Sequence, residues 1–399
     1  MNKFEDIHIE WRSELSGICG KYSALARNLL KPLIKGGAKV KLILDEDYLP
    51  GHLKHEDKEW TDIIRGSEFI QESNLRVNQC VPPRFAPDPS KINVGYITWE
   101  TTRLPNDWTN HINRTCHHLL TTSKAVEEAA TFSGVQVPVS TINPSIDCDF
   151  WTPEGEKTTV NGVADTDVKF LYIANFIPRK NLEDLILSFC VAFAGVKDAA
   201  LIIKTYGQQN SAQQKKAIRQ AIATMKGKVK GLPNLPKIVV LDELISEEQV
   251  KRIIRSSDVY VCSSKGEGAS LPLLQSMAME KAVIATRFLS HGDYLNDSNA
   301  SIVNHTLVPC IDASNPVYTS AQMWCAPDVE SFISRLQLTY TSIKTGTHQV
   351  MRSNARKTVQ EHCNPEKNAE AFAEKIREIR SSVTQRAPST KDFIHSLAQ

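Results

Sequence analysis

Apolar positions along the chain fall into two recurring periods. Residues 7–9 form a short apolar segment, and Ser16-Gly17-Ile18-Cys19-Gly20 reads as a glycine turn. Leu25, Leu29, Leu30 and Leu33 then recur at helical spacing, and Gly36-Gly37 ends that helix. Residues 40–44 read as a buried strand. Strand, glycine turn, helix, strand is the opening of a doubly wound unit. The stretch 46–92 is polar and interrupted by proline, and its pattern assigns no element. Strands are expected at 94–98 and 118–122, a helix at 123–133, and a closing strand at 139–142.

Residues 151–167 are polar, with glycine and proline, and read as a linker. Beyond it the alternation is regular. Strands at 168–174, 199–205, 238–241, 259–262 and 282–286 alternate with helices. These helices are expected over 181–194, from about 211, from Ser246-Glu247-Glu248-Gln249 with its capping-box spacing, and from about 270. Five strands alternating with helices predict a parallel sheet covered on both faces. Ala369, Phe372, Ala373, Ile376 and Ile379 form one apolar helical stripe, read as core packing. The fold class is therefore α/β: two doubly wound, Rossmann-like halves facing a central cleft. The expected divisions are 1–155, 156–365 and a C-terminal helix and tail, 366–399, packing back on the first half. Ligands of such sheets sit at the carboxyl ends of the strands.

Composition narrows the picture. The 399 residues are 41% apolar and 23% charged, which excludes wholesale disorder. No apolar run is long enough to span a membrane, and the charged N-terminus does not resemble a signal peptide. The nine cysteines stand singly with no C-x-x-C pair, so neither a zinc site nor a disulfide framework is expected. These features lead to the expectation of a cytoplasmic protein, peripheral to a membrane if it meets one. The formal net charge is only +2, yet residues 197–237 carry nine cations against one acid, a local excess of +8. That segment reads either as a solvated face or as a contact for an anionic membrane surface or a nucleic acid.

The most informative run is Ser263-Ser264-Lys265-Gly266-Glu267-Gly268-Ala269-Ser270-Leu271-Pro272-Leu273-Leu274-Gln275, between a strand and a helix. Gly266 and Gly268 permit a sharp turn and close approach to a ligand. Ser270 and Pro272 suit the helix start. Free N–H groups there suit a phosphate or diphosphate, and Glu267 can accept hydrogen bonds from hydroxyls. A sugar joined to a diphosphate would satisfy both, although an ordinary strand-to-helix turn has the same composition. Pro178-Arg179-Lys180-Asn181 follows another strand, where two cations can neutralise a leaving diphosphate or simply form a solvated turn.

Together these segments resemble the nucleotide-sugar glycosyltransferases of family 4, which have the glycosyltransferase-B fold. EGASLPLLQ is similar to the family's E-G-F-G-L-P-x-x-E run, and PRKN to its upstream PRKG-like turn. TINPSIDCDFWTP and GYITWETTRLPNDW add further likeness, over roughly residues 90–380 in all. The resemblance implies a metal-independent, cofactor-free hexosyltransferase that retains anomeric configuration, moving sugar from a nucleotide donor to a hydroxyl acceptor such as a glycan or lipid. It implies that Arg179 and Lys180 grip the diphosphate and that Glu267 contacts the transferred sugar. Lys265, Gly268 and the N–H groups of Ala269, Ser270 and Leu271 would surround the donor. Gln275 would meet the ribose, and Gly17 and Gly20 would approach the diphosphate from the other half. Glu100 stands about where the family often has a histidine, and it either orients the acceptor or is a structural loop residue.

The chain departs from the family pattern at Gln275, which replaces a glutamate, and at Asn175, which replaces a phosphate-binding arginine. Those departures keep a second reading open, a non-catalytic nucleotide-sugar or glycan binder. A glycosyltransferase acting on nucleic acid is a third. His111, His117 and His118 are expected to be structural. A uridine donor is favoured over a guanosine donor. Asp242 and Glu243, in a loop expected near the base, could serve guanine, but both are expected to face solvent.

Overall fold

The computed structural model describes residues 3–13, 21–44, 58–207 and 211–386. The first half contains β1 (His8–Ser13), α1 (Lys21–Lys35), β2 (Lys39–Leu44), α2 (Lys58–Ser67), β3 (Leu75–Gln79), β4 (Ile92–Ile97), α3 (Asn106–Thr115), β5 (His118–Thr121), α4 (Lys124–Phe132) and β6 (Val139–Thr141). Its strands form one parallel sheet in the order β2-β1-β3-β4-β5-β6. The helical stripe of α1 is buried, and its Leu29, Leu30 and Leu33 join the core that covers this sheet.

The second half contains β7 (Val168–Asn175), α5 (Leu182–Ala192), β8 (Ala199–Tyr206), α6 (Ala212–Gly227), β9 (Lys237–Leu241), α7 (Glu247–Ser256), β10 (Val259–Cys262), α8 (Leu271–Ala278), β11 (Ala282–Thr286) and β12 (Ser301–Val303). This sheet is also parallel, in the order β12-β11-β10-β7-β8-β9. β12 is a sixth strand beyond the five expected. β8 is buried along almost its whole length, as a central strand covered on both faces must be. The expected capping box forms at the start of α7, where Ser246 and Gln249 bond reciprocally.

An antiparallel hairpin follows, β13 (His305–Pro309) and β14 (Met323–Pro327), then α9 (Val329–Thr345), α10 (Gln349–His362) and α11 (Pro365–Arg386). The apolar stripe of α11 joins the first half's core, where Phe372 lies 5.7 Å from Trp11 between ring centroids. Asn368 ties the same helix to the carbonyls of Asn143 and Pro144.

Two segments differ from the sequence expectation. Residues 151–167 are not a free linker, because Trp151 and Val160 are buried in the second core beside Ile146. The unassigned stretch 46–92 contains α2 and β3, and β3 is a central strand between β1 and β4. Its Asn78 and Gln79 are buried, and their side chains bond to Ala86 N–H and the Ser13 hydroxyl. Among the described residues no helix is long and apolar enough to cross a membrane. The eight described cysteines are all free thiols.

Candidate functional site

The carboxyl ends of β7 and β10 lie side by side, and the chemistry-bearing segments leave the sheet there. After β7 the chain makes a tight 3₁₀ turn over Pro178–Lys180. Asn181 then takes a left-handed conformation, φ 54°, and leads into α5. The turn is stitched to the neighbouring loop. Lys265 N–H donates to the Arg179 carbonyl at 2.9 Å, while the hydroxyls of Ser263 and Tyr172 donate to the Lys180 carbonyl.

The loop between β10 and α8 is pressed against the first half. A Cβ on Gly266 would lie 2.2 Å from the Glu100 carbonyl oxygen, and one on Gly268 would lie 2.2 Å from Thr98 Oγ1 and 2.6 Å from the Trp99 oxygen. Glycine is required at both positions by this approach of backbone to backbone. Thr122 Oγ1 donates across the same junction to the Gly268 carbonyl at 2.8 Å. Ser270 precedes α8 with φ 53°, and its side chain makes no capping bond. The expected serine cap is therefore absent, and the backbone there is left-handed rather than in the extended conformation a capping residue takes.

Charges gather where the two segments meet. Lys180 Nζ is paired with Glu267 Oε1. Arg179 Nη1 donates to the Gly266 carbonyl and lies 3.8 Å from Glu267 Oε1, while Nη2 lies 3.5 Å from Glu100 Oε1. Tyr318, on the segment joining β13 and β14, donates its hydroxyl to Glu100 Oε1 at 2.5 Å. Arg179, Glu100 and Glu267 are all nearly buried. Burial alone would raise the Glu267 pKa, but the charges of Lys180 and Arg179 outweigh it and hold the carboxyl down to about 2. Arg179 is held strongly protonated: burial opposes its charge, and Glu100 and Glu267 overcome that. Arg179 Nε is buried without a hydrogen-bond partner among the described residues.

Of the residues singled out by sequence, Arg179, Lys180, Glu267 and Glu100 come together in this one cluster. Gly268, Ala269, Ser270 and Gln275 are buried beside it or on α8, and Leu271 opens that helix half-buried. The Lys265 carbonyl accepts from Cys325 N–H at 2.8 Å, so the hairpin is fastened to this loop. Gly17 and Gly20 lie outside the described residues. Tyr318 was not anticipated; it sits in an irregular Asn/Pro/Ser stretch without periodicity, and only tertiary packing brings it to Glu100. His291 was also unremarked. It is buried with its Nδ1 3.0 Å from the Thr286 carbonyl, and burial lowers its pKa against the opposing charge of Glu267.

Other expectations are corrected or narrowed. Asp242 does not face solvent: it is buried and gripped by Arg219 through Nε and Nη2 at 2.6 and 2.8 Å. Glu243 is mostly exposed and paired with Lys215. Within the basic 197–237 segment, Lys215, Arg219, Lys228 and Lys237 each hold an acid, and Lys204 is buried. The exposed, uncompensated charge is therefore well below the count in the sequence. His117 accepts from Asn93 N–H, and His118 bonds Ser140 with its pKa pushed down to about 4 by burial. His111 packs on Phe85.

Residues 167–319, which include Arg179, Lys180, Glu267 and Tyr318, match the family described as glycosyl transferases group 1. No curated protein matches the sequence. Among solved structures, sucrose-phosphate synthase from Thermosynechococcus elongatus is similar with a TM-score of 0.66 and 13% identity, over 94% of this chain and 100% of that one. An E. coli trehalose-6-phosphate structure bound with UDP-2-fluoro glucose is similar at 0.63 and 10%, over 93% and 98%. HepE from Anabaena, in complex with UDP and glucose, is similar at 0.59 and 12%, over 93% and 100%. The chain thus has the glycosyltransferase-B architecture of two Rossmann-like halves, and the matched segment supports a glycosyltransferase.

Proposed function

We propose that the protein is a retaining glycosyltransferase of family 4 type that moves a hexose from a nucleoside diphosphate to a hydroxyl acceptor. The observation that carries this reading is the joining of Arg179, Lys180 and Glu267 at adjacent strand ends, beside the glycine loop that opens α8. Arg179 and Lys180 offset the negative charge that develops on the departing diphosphate. The N–H groups at the start of α8 bind its oxygens. Glu267, kept ionised by its two cations, accepts hydrogen bonds from sugar hydroxyls. Both carboxylates of the cluster are engaged by cations, so we read retention as attack on the face the diphosphate leaves rather than as a covalent intermediate. The leaving phosphate oxygen then takes the acceptor's proton. Side-chain cations supply the positive charge, and the mechanism invokes no metal.

The donor is proposed to be a uridine diphosphate sugar. HepE binds UDP and the E. coli structure binds UDP-2-fluoro glucose, both on this fold. Hydrolysis or transfer of labelled UDP-sugars, with the anomeric configuration of the product read by NMR, tests the reading. An inverted product would overturn retention, and binding without any nucleotide release would favour the non-catalytic alternative. Gln275 is the observation behind that alternative: on α8 an amide replaces the charge-assisted ribose contact, which is worth roughly twice a neutral one.

A further inference from the structure

We propose that Glu100 and the donor's diphosphate compete for the same edge of Arg179, so that the first half carries its own anion into the donor site. This rests on the assignment of Arg179 to the diphosphate made above. A guanidinium presents two edges to an anion. Here Nη1 is committed to the Gly266 carbonyl within the second half. The other edge, Nε with Nη2, is the one that can grip two oxygens of a phosphate side by side. On that edge Nε has no partner among the described residues, and Nη2 faces Glu100 Oε1 at 3.5 Å. A tight charge-assisted contact would be about 2.7–2.9 Å. Glu100 therefore neutralises the edge without filling it, which makes it an exchangeable partner.

The surroundings explain why the contact is loose. Glu100 Oε1 also accepts the Tyr318 hydroxyl at 2.5 Å, and Tyr318 is wedged between Trp99 and Trp324 at 5.7 and 4.8 Å between ring centroids. The Glu100 carbonyl lies so close to Gly266 that a Cβ there would clash with it. Tyr318 also interacts with Arg179 itself, so carboxylate, phenol and guanidinium form one cluster in which the Glu100–Arg179 contact is the long one. When a phosphate takes Nε and Nη2 together, Glu100 keeps Tyr318 and loses the arginine. Its carboxylate then lacks the arginine as counter-ion at the junction between the halves. Tyr318 is the positioning residue of this exchange.

Competition has a sign opposite to that of a residue that merely builds the site. Calorimetry with uridine diphosphate, guanosine diphosphate and pyrophosphate is run on the wild type, Glu100→Gln and Glu100→Asp. Removing the competing charge is expected to tighten nucleotide binding by about tenfold in Glu100→Gln, within the usual range of site-to-site coupling. Glu100→Asp, with its carboxylate drawn back, should fall between. Equal or weaker binding in both variants overturns the competition and leaves the donor assignment standing. If none of the three anions binds any of the proteins, the assignment of Arg179 fails, and this inference with it. A third measurement needs no variant. Amide exchange across 98–103 in the wild type should quicken at saturating uridine diphosphate, because Glu100 gives up its contact with Arg179, and slower or unchanged exchange overturns the proposal.

Discussion

Two buried glutamates, Glu10 and Glu267, each hold two cations, and they are built differently. Glu10 lies within β1, directly opposite Arg76 of β3 in the strand register. Arg76 Nε reaches its Oε2 at 2.9 Å, and Lys91 Nζ reaches its Oε1 at 2.5 Å. Ser73 N–H completes the set at 3.4 Å. Every partner belongs to the same half, and both carboxylate oxygens are used. Glu267 lies beyond the end of β10, where the chain has left the sheet. One of its cations, Arg179, is shared with Glu100 of the other half and keeps a donor unused. The two clusters share a chemistry, but the first is closed and the second has valence left over at a junction. A closed cluster specifies the sheet. An open one, fed from two halves, can exchange partners with a ligand.

The comparison breaks most visibly if the open cluster turns out to be mere structure. Lys180→Ala and Glu267→Ala are each expected to lower turnover by at least about 10²–10³-fold, the usual loss of one stabiliser of developing charge. Rates of nucleotide release, set beside melting curves, check this; near-wild-type turnover in both variants would remove the cluster from the chemistry. The closed cluster should behave in the opposite way. Glu10→Gln leaves two cations facing a neutral amide in a buried place, and a stability loss of about 3 kcal/mol is expected. Chemical denaturation measures it. Turnover per folded molecule should be unchanged, and a selective loss of turnover would contradict the division drawn here.

Acid sharpens the same contrast. The Glu267 carboxyl has an ordinary value near 4.5 and is held at about 2 in the folded protein. A depressed carboxyl stabilises the fold above its unfolded value and loses that contribution as pH falls towards the folded one. The stability difference between wild type and Glu267→Gln should therefore shrink steadily from about pH 4.5 to about pH 2. Glu10 is also lowered, since the hydrogen bonds of Lys91 and Arg76 outweigh the opposing effect of burial, so Glu10→Gln should show a trend of the same sign. A difference that stays constant across the window would mean that the carboxyl is not held down by its cations.

The two clusters were not equally legible in the sequence. Arg179, Lys180 and Glu267 lie in runs bounded by apolar strands, and strand periodicity put both runs at strand ends, which in a parallel sheet means the same edge. Glu10, Arg76 and Lys91 carried no such signal. β3 reads LRVNQ, and its polar residues are satisfied by partners distant in sequence, so the pattern does not announce a central strand. Tyr318 was hidden for a related reason. It belongs to an irregular segment between two strands, and it reaches Glu100 across 218 positions of chain. Hydrophobic period reports which face is buried; it does not report which polar groups meet once faces are stacked. The tightness of the junction was hidden as well, because glycine at 266 and 268 suits a ligand's approach as readily as the approach of Thr98–Glu100.

The smallest expected effect concerns the donor's base. A free carboxylate near β9 could accept both N–H donors of guanine's edge, which would argue for a guanosine donor. Asp242 is not free. Arg219 takes both of its oxygens, and that bond, working against burial, lowers the pKa of the carboxyl. With this acceptor occupied, the argument for guanine loses its main residue, and a uridine donor is the expectation. Thermal unfolding with each nucleoside diphosphate decides it, since ligand at about 100 times its dissociation constant stabilises the native state by roughly 2.7 kcal/mol. Uridine diphosphate should raise the melting temperature more than the guanosine compound does. Arg219→Ala then probes the cause. It would release Asp242 as an acceptor, so guanosine diphosphate should gain affinity by a few-fold at most while uridine diphosphate stays level. If guanosine diphosphate is already preferred by the wild type, Arg219 is not what excludes it, and the base is read by groups other than Asp242.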